Sequence, residues 1–106
     1  MNRQEYRRAV RALYLQFTSH SVSRWDLRLV DDLFSQKIPI QVIRSALLLA
    51  SARRLSRDPN APPLPPVRSL YYFRPLIEEI LRQPLPRGYI DYVEFRLQQL
   101  LAKKQP

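Results

Sequence analysis

Residues 38–55 read IPIQVIRSALLLASARRL, and this stretch decides the fold. Pro39 suits the first turn of a helix, because proline has a fixed φ and no amide N–H. The residues after it are apolar on almost every side, which is typical of a central core helix or of a membrane span. Polar residues and arginines interrupt the apolar run too often for a span. The stretch therefore predicts a central helix from about Pro39 to Ser56, against which the other helices pack.

The composition around this helix favours an all-α fold. The chain has 106 residues, which suits one domain over residues 1–106 with a modest core. It contains ten prolines and one glycine, and the prolines cluster between the periodic runs. We therefore expect a small orthogonal bundle of four to five helices with a Pro-rich connector at residues 58–66. The last few residues are expected to fray.

Helical periodicity marks the elements on either side. The predicted helices cover residues 2–17, 24–37, 70–81 and 89–102. Pro75 lies inside the third of these and should kink or split it. Leu81 and Tyr89 are expected on the core faces of their helices. Pro63–Arg68 also fits the PxxPxR pattern bound by SH3-type grooves, although a rigid strap over the surface is the simpler interpretation.

The start of the second helix is marked by Ser23 and Asp26, which resemble a capping box. Trp25 lies in its first turn and is interpreted as a hydrophobic lid over the first helix, with base stacking as the alternative. The second and central helices are joined by a short link, so they could also form a helix-turn-helix. Because the central helix has few polar residues for reading base edges, a buried scaffold helix is the preferred interpretation.

The charge balance indicates an anionic partner. The chain carries 18 Lys+Arg against 9 Asp+Glu, a net charge of +9, and arginine greatly outnumbers lysine. A balance of this kind favours nucleic acid first and an acidic protein second. Arginine strengthens the nucleic-acid prediction, because its planar guanidinium binds phosphates bidentately and stacks on bases. We expect DNA as the partner before RNA.

Basic and aromatic residues interleave at several places along the chain. The first helix has arginines at every fourth position, a stripe that fits phosphate contacts and a solvated face equally well. The cluster at the end of the central helix also favours the helix macrodipole. The tyrosine pair at residues 71–72 lies between arginines, a mixture that holds single-stranded nucleic acid but also serves ordinary packing. The candidate nucleic-acid-binding residues are Arg3, Arg7, Arg11, Arg53, Arg54, Arg57, Arg68, Tyr71, Tyr72 and Arg74.

Catalytic and metal-binding patterns are missing from the sequence. There is no cysteine, and His20 is the only histidine. The single glycine rules out a typical phosphate-binding Gly-rich loop. Adjacent carboxylates at residues 31–32 and 78–79 point to different parts of a helix surface and do not predict a metal site. We therefore expect a protein that is not an enzyme and has no cofactor or metal. The first residues do not form a signal peptide and nothing is long enough to cross a membrane, so a cytoplasmic location without membrane contact is expected.

Two stretches resemble a known family. The pattern I-P-I-Q-V-I-x-x-A-x-x-x-A at residues 38–50, followed by V-x-S-L-x-Y-F at residues 67–73 and by Ile80-Leu81, is similar to the helical C-terminal domain of DnaD-like primosomal proteins. The resemblance covers about residues 26–81 and makes Tyr72 the matching tyrosine. It implies contact with single-stranded DNA and the replicative helicase machinery. The Pro-rich insert, Pro75 and the lack of a closing tryptophan depart from the family pattern. The core also resembles small uncharacterised bacterial helical proteins.

The sequence thus predicts a basic, non-catalytic helical protein that associates with nucleic acid, with an accessory role in replication or on a mobile element. The alternative is a protein-interaction module that binds an acidic partner, since tyrosine and arginine are also enriched at protein interfaces. A continuous basic groove with an exposed tyrosine would favour the first prediction. Scattered arginines and a flat apolar patch would favour the second.

Overall fold

The computed structural model describes residues 1–104 and contains five α-helices, with no strand in this range. The α-helices are α1 (Arg3–Thr18), α2 (Arg24–Ser35), α3 (Ile40–Leu55), α4 (Arg74–Arg82) and α5 (Tyr89–Lys104). A short 3₁₀ helix, Leu70–Phe73, runs directly into α4. The predicted small all-α bundle with a Pro-rich connector is confirmed. The expected fraying concerns the last residues, of which 105 and 106 lie outside the described part.

Helix α3 lies at the centre of the molecule and contacts α1, α4, α5 and the 3₁₀ helix. Its buried residues are Ile43, Ala46, Leu47, Leu48, Leu49 and Ala50. They belong to one continuous cluster of buried side chains from all five α-helices and the 3₁₀ helix. Because α3 is enclosed in this way, the interpretation of α3 as a buried scaffold helix is confirmed. A helix-turn-helix would need α3 exposed as its recognition helix, so this alternative is not supported.

The predicted capping box at the start of α2 is present, and its aspartate has a second role. Asp26 is 1% exposed, and its carboxylate accepts a hydrogen bond from the Ser23 amide. The same carboxylate accepts hydrogen bonds from Ser69 Oγ at 2.8 Å and from the Leu70 amide at 3.1 Å. Buried carboxylates are stabilised when their oxygens are satisfied in this way. Asp26 therefore fastens the start of α2 to the start of the 3₁₀ helix, an arrangement we call the Asp26 clasp.

Pro75 divides the helix predicted at residues 70–81 in two, as expected. The chain forms a 3₁₀ turn from Leu70 and then changes to α-helix at Arg74. Pro75 is the second residue of α4, where its missing N–H removes no intrahelical hydrogen bond. Within the 3₁₀ helix, Tyr72 lies beside Arg54 of α3, and this contact matters for the candidate site.

Three expectations about apolar side chains were wrong. Trp25 is 68% exposed and does not cover α1. Its neighbour Asp26 points inward to the clasp, and consecutive helical residues lie roughly 100° apart, so Trp25 points away from the core. Leu81 and Tyr89 are also exposed. Ile80 takes the core-facing position at the end of α4, and Tyr89 is the first residue of α5.

Two tyrosines carry their hydroxyl groups into the core. Tyr6 Oη donates a hydrogen bond to the Ile38 carbonyl at 2.8 Å. Burial raises the pKa of Tyr6 to about 12, so this donor stays protonated at neutral pH. The hydroxyl of Tyr14 is buried and has no hydrogen-bond partner within the described residues. Its ring packs edge-on against Phe73, with 6.4 Å between the ring centroids.

None of the helices within residues 1–104 combines the length and the apolarity that crossing a membrane requires.

Candidate nucleic-acid interface

Three candidate arginines line one groove at the C-terminal end of α3. The groove has a volume of about 390 Å³ and is bounded by α3, the Pro-rich connector and the junction between the 3₁₀ helix and α4. We call it the arginine groove. Its lining residues are Ala50, Arg53, Arg54, Arg57, Leu64, Tyr72, Phe73, Pro75, Leu76 and Glu79. Leu64 of the connector and Glu79 of α4 also line this groove. No pattern in the sequence indicates that these two residues belong to it.

The guanidinium of Arg54 is held by contacts within the groove. Its Nη2 donates a hydrogen bond to the Pro65 carbonyl at 2.8 Å, and its Nη1 lies 3.4 Å from Tyr72 Oη. The guanidinium carbon is 5.9 Å from the centroid of the Tyr72 ring, within the range of a cation–π contact. Arg54 therefore holds the Pro-rich connector and Tyr72 in place. Tyr72 is still 50% exposed, which leaves ring surface open to a ligand.

The groove carries an excess of positive charge. Within residues 1–104, the ion pairs involve Arg7, Arg44 and Arg74, and none involves Arg53 or Arg57. Glu79 is the one carboxylate in the lining. The C-terminal dipole of α3 favours cations at this end and gives the cluster a structural cause as well. The local excess of guanidinium groups nevertheless makes the groove suitable for an anionic ligand.

Of the three arginines in the stripe on α1, Arg7 is used in an ion pair within the fold. Arg7 forms two hydrogen bonds with the Asp31 carboxylate of α2, from Nε at 2.8 Å and from Nη2 at 2.5 Å. These bonds lower the pKa of Asp31 below its usual value, with a further contribution from the charge of nearby Arg3. The guanidinium of Arg3 lies 6.0 Å from the Phe34 ring. Arg3 and Arg7 therefore lie along the contact between α1 and α2, whereas Arg11 is exposed.

The remaining candidates do not line the arginine groove. Arg74 is 3.6 Å from Asp32 of α2 and 3.3 Å from Glu78 of its own helix. Tyr71 is 40% exposed and does not line the arginine groove. Arg68 is exposed just before the Asp26 clasp. The structure thus brings together Arg53, Arg54, Arg57 and Tyr72, and places the other candidates elsewhere.

A patch of aromatic side chains lies on the outer face of α5. Tyr92 and Phe95 are more than half exposed. The ring of Tyr89 lies 6.5 Å from that of Tyr92, and Arg96 donates a hydrogen bond to Gln99 at 3.1 Å beside Phe95. Patches of this kind often mark protein-interaction surfaces. The molecule therefore presents a basic groove and a separate apolar patch.

The described residues, 1–104, include no group of three or more His, Cys, Asp or Glu side chains that could hold a metal ion. No protein-family model matches the chain, and searches of curated proteins and of solved structures give no significant match.

Proposed function

We propose that this chain is a non-catalytic protein that associates with nucleic acid, DNA before RNA, through the arginine groove. The observation that supports the proposal best is the convergence of Arg53, Arg54 and Arg57 beside the half-exposed ring of Tyr72. The resemblance of the central helix and the Tyr-containing segment to DnaD-like proteins supports an accessory role in replication or on a mobile element, and with it a cytoplasmic location.

The chemistry of the groove fits a phosphate backbone. Guanidinium groups bind phosphate oxygens through parallel hydrogen bonds. Arg53 and Arg57 are available for this role, while Arg54 positions the Tyr72 ring beside them. Glu79 on the opposite wall repels phosphates and would keep the strand on the side of α3. An exposed tyrosine ring beside these cations adds a surface on which a base can stack.

The experiment is fluorescence anisotropy with labelled single-stranded and duplex DNA and RNA across a salt series. The proposal predicts binding at low salt and a linear fall of log K with log salt, because phosphate contacts release counterions. The variant Tyr72→Ala should weaken binding to single strands about tenfold, as expected for the loss of one stacked base. Failure of DNA and RNA to bind at low salt would overturn the proposal.

A second candidate function is binding of an acidic protein partner through the exposed aromatic patch of α5. The exposed rings of Tyr92 and Phe95 favour it, since aromatic residues and arginine are common interface anchors. Photo-crosslinking in cells distinguishes the two functions. A crosslinker placed at position 95 should capture a protein if the second function holds, whereas one placed at Arg53 should capture nucleic acid if the first holds.

A further inference from the structure

Helix α2 presents an exposed aromatic and basic stripe that the arginine groove does not use. Trp25 and Arg28 are three residues apart on one face of α2, and Asp32 follows four residues later. The guanidinium carbon of Arg28 lies 5.4 Å from the centroid of the Trp25 ring. Trp25 remains 68% exposed, an unusual state for a large aromatic side chain. Arg24 precedes it in the first turn of the helix.

A second stripe, formed by Tyr71, Arg74 and Glu78, lies on the 3₁₀ helix and α4. Two contacts hold it beside the stripe of α2. At one end the Asp26 clasp joins the start of α2 to Leu70, the neighbour of Tyr71. At the other end Arg74 lies 3.6 Å from Asp32. The surface between the stripes, which we call the aromatic valley, therefore has Trp25 on one side and Tyr71 on the other.

The charges divide the valley into two ends. At the far end Asp32 and Glu78 are both paired with Arg74. Trp25 and Tyr71 lie at the clasp end. The charged residues that neighbour them in the sequence are, apart from Asp26, exposed arginines. These arginines are Arg24, Arg28 and Arg68. The one carboxylate at this end, Asp26, is buried and satisfied by hydrogen bonds. The aromatic end of the valley is therefore positive at its surface.

We infer that the aromatic valley is a stacking platform for unpaired bases of single-stranded nucleic acid. Trp25 and Tyr71 offer ring faces to two bases, and Arg24, Arg28 and Arg68 neutralise the phosphates between them. Bases in a duplex are stacked on one another and cannot offer a free face to these rings. The inference rests on the proposed function and sharpens it, because it names single strands as the ligand that occupies the valley.

Trp25 is the only tryptophan in the chain, so its emission reports on the valley directly. The experiment titrates the full chain with unlabelled oligothymidylate of about 12 nucleotides, within the range of known single-strand site sizes. Anisotropy with a labelled oligonucleotide of the same sequence is measured in parallel. The inference predicts quenching of the tryptophan emission that saturates together with the anisotropy, and protection of Trp25 from iodide. A duplex of equal length should leave the emission unchanged.

Three variants complete the test. Trp25→Ala and Tyr71→Ala should each lower single-strand affinity about tenfold and leave duplex affinity unchanged, while Trp25→Phe should retain most of the binding. Both side chains are exposed, so thermal unfolding should match that of the unchanged chain. If anisotropy shows binding but the tryptophan emission does not change, the aromatic valley is not a stacking site. The proposed function through the arginine groove would be unaffected by that result. Absence of binding to either nucleic acid at low salt would overturn the proposed function and the valley with it.

Discussion

At the scale of single residues, Asp26 connects distant parts of the chain. Its carboxylate completes the cap of α2 and satisfies the Ser69 hydroxyl and the Leu70 amide, 43 and 44 residues further along the chain. Asp26 also lies next to Trp25, and Leu70 lies next to Tyr71. Through these neighbours, one buried carboxylate sets the positions of both rings of the aromatic valley.

We therefore expect Asp26→Ala to destabilise the fold by about 2–4 kcal/mol, because it removes the carboxylate half of the capping box and leaves the buried Leu70 amide without a partner. Urea unfolding monitored by circular dichroism measures the loss. Asp32→Ala is the matched control on the same helix, and its exposed ion pair should cost less than about 1 kcal/mol. Equal losses for the two variants would show that the clasp has no special role.

The two buried tyrosines provide a second test at this scale. Tyr6→Phe leaves the Ile38 carbonyl without its donor and should cost about 1–2 kcal/mol. Tyr14→Phe removes a buried hydroxyl that has no partner within the described residues, so stability should stay the same or rise by up to about 1 kcal/mol. Thermal unfolding of both variants checks the contrast. A loss for Tyr14→Phe as large as that for Tyr6→Phe would contradict it.

At the scale of elements, α3 supplies the centre of the core and positions the groove at its end. Leu47→Ala removes a fully buried side chain of α3 and should cost about 2–5 kcal/mol. Leu15→Ala on the exposed face of α1 should change stability by about 0.5 kcal/mol or less. The free energies of unfolding in urea give the comparison. Similar losses at the two positions would contradict the central place of α3.

The contact between α1 and α2 should depend on pH. The pKa of Asp31 is lowered by its hydrogen bonds with Arg7, so the ionised carboxylate favours the folded state. This stabilisation is complete above the unfolded-state pKa of about 3.9 and is lost as the pH falls through the lower folded-state value. The difference in stability between the unchanged chain and Asp31→Asn should therefore be constant from neutral pH down to about 5 and shrink below about 4. A difference that grows at acid pH would contradict the assignment.

The elements were more predictable than the surfaces between them. Apolar periodicity and the signals at Pro39, Ser23 and Pro75 are local, so they located the helices from the sequence. Trp25 was placed wrongly, because its direction depends on the contact of Asp26 with Leu70, more than 40 residues away. The ion pair of Arg7 is not predictable from the spacing of the α1 stripe for the same reason, since Asp31 lies in another helix. Convergence of Arg53, Arg57 and Tyr72 required the path of the connector, which no local pattern specifies.

At the scale of the whole molecule, the arginines that give the net charge of +9 differ in whether they are paired with carboxylates. Some arginines are paired with carboxylates, whereas Arg53 and Arg57 converge on one groove without an ion pair in the described residues. Arg82 and Arg87 are also exposed, but they flank the loop that lies beside Gln41 and Val42 at the opposite end of α3. A double variant of Arg53 and Arg57 and a double variant of Arg82 and Arg87 therefore remove the same charge from opposite ends of α3.

The most direct test of the arginine groove compares these double variants in DNA-binding anisotropy across a salt series. We predict that Arg53→Gln with Arg57→Gln weakens binding and lowers the slope of log K against log salt by about 2, one for each lost phosphate contact. Arg82→Gln with Arg87→Gln should leave the slope close to that of the unchanged chain. Equal reductions for the two pairs would mean that binding follows net charge alone, and would contradict a nucleic-acid site at the arginine groove.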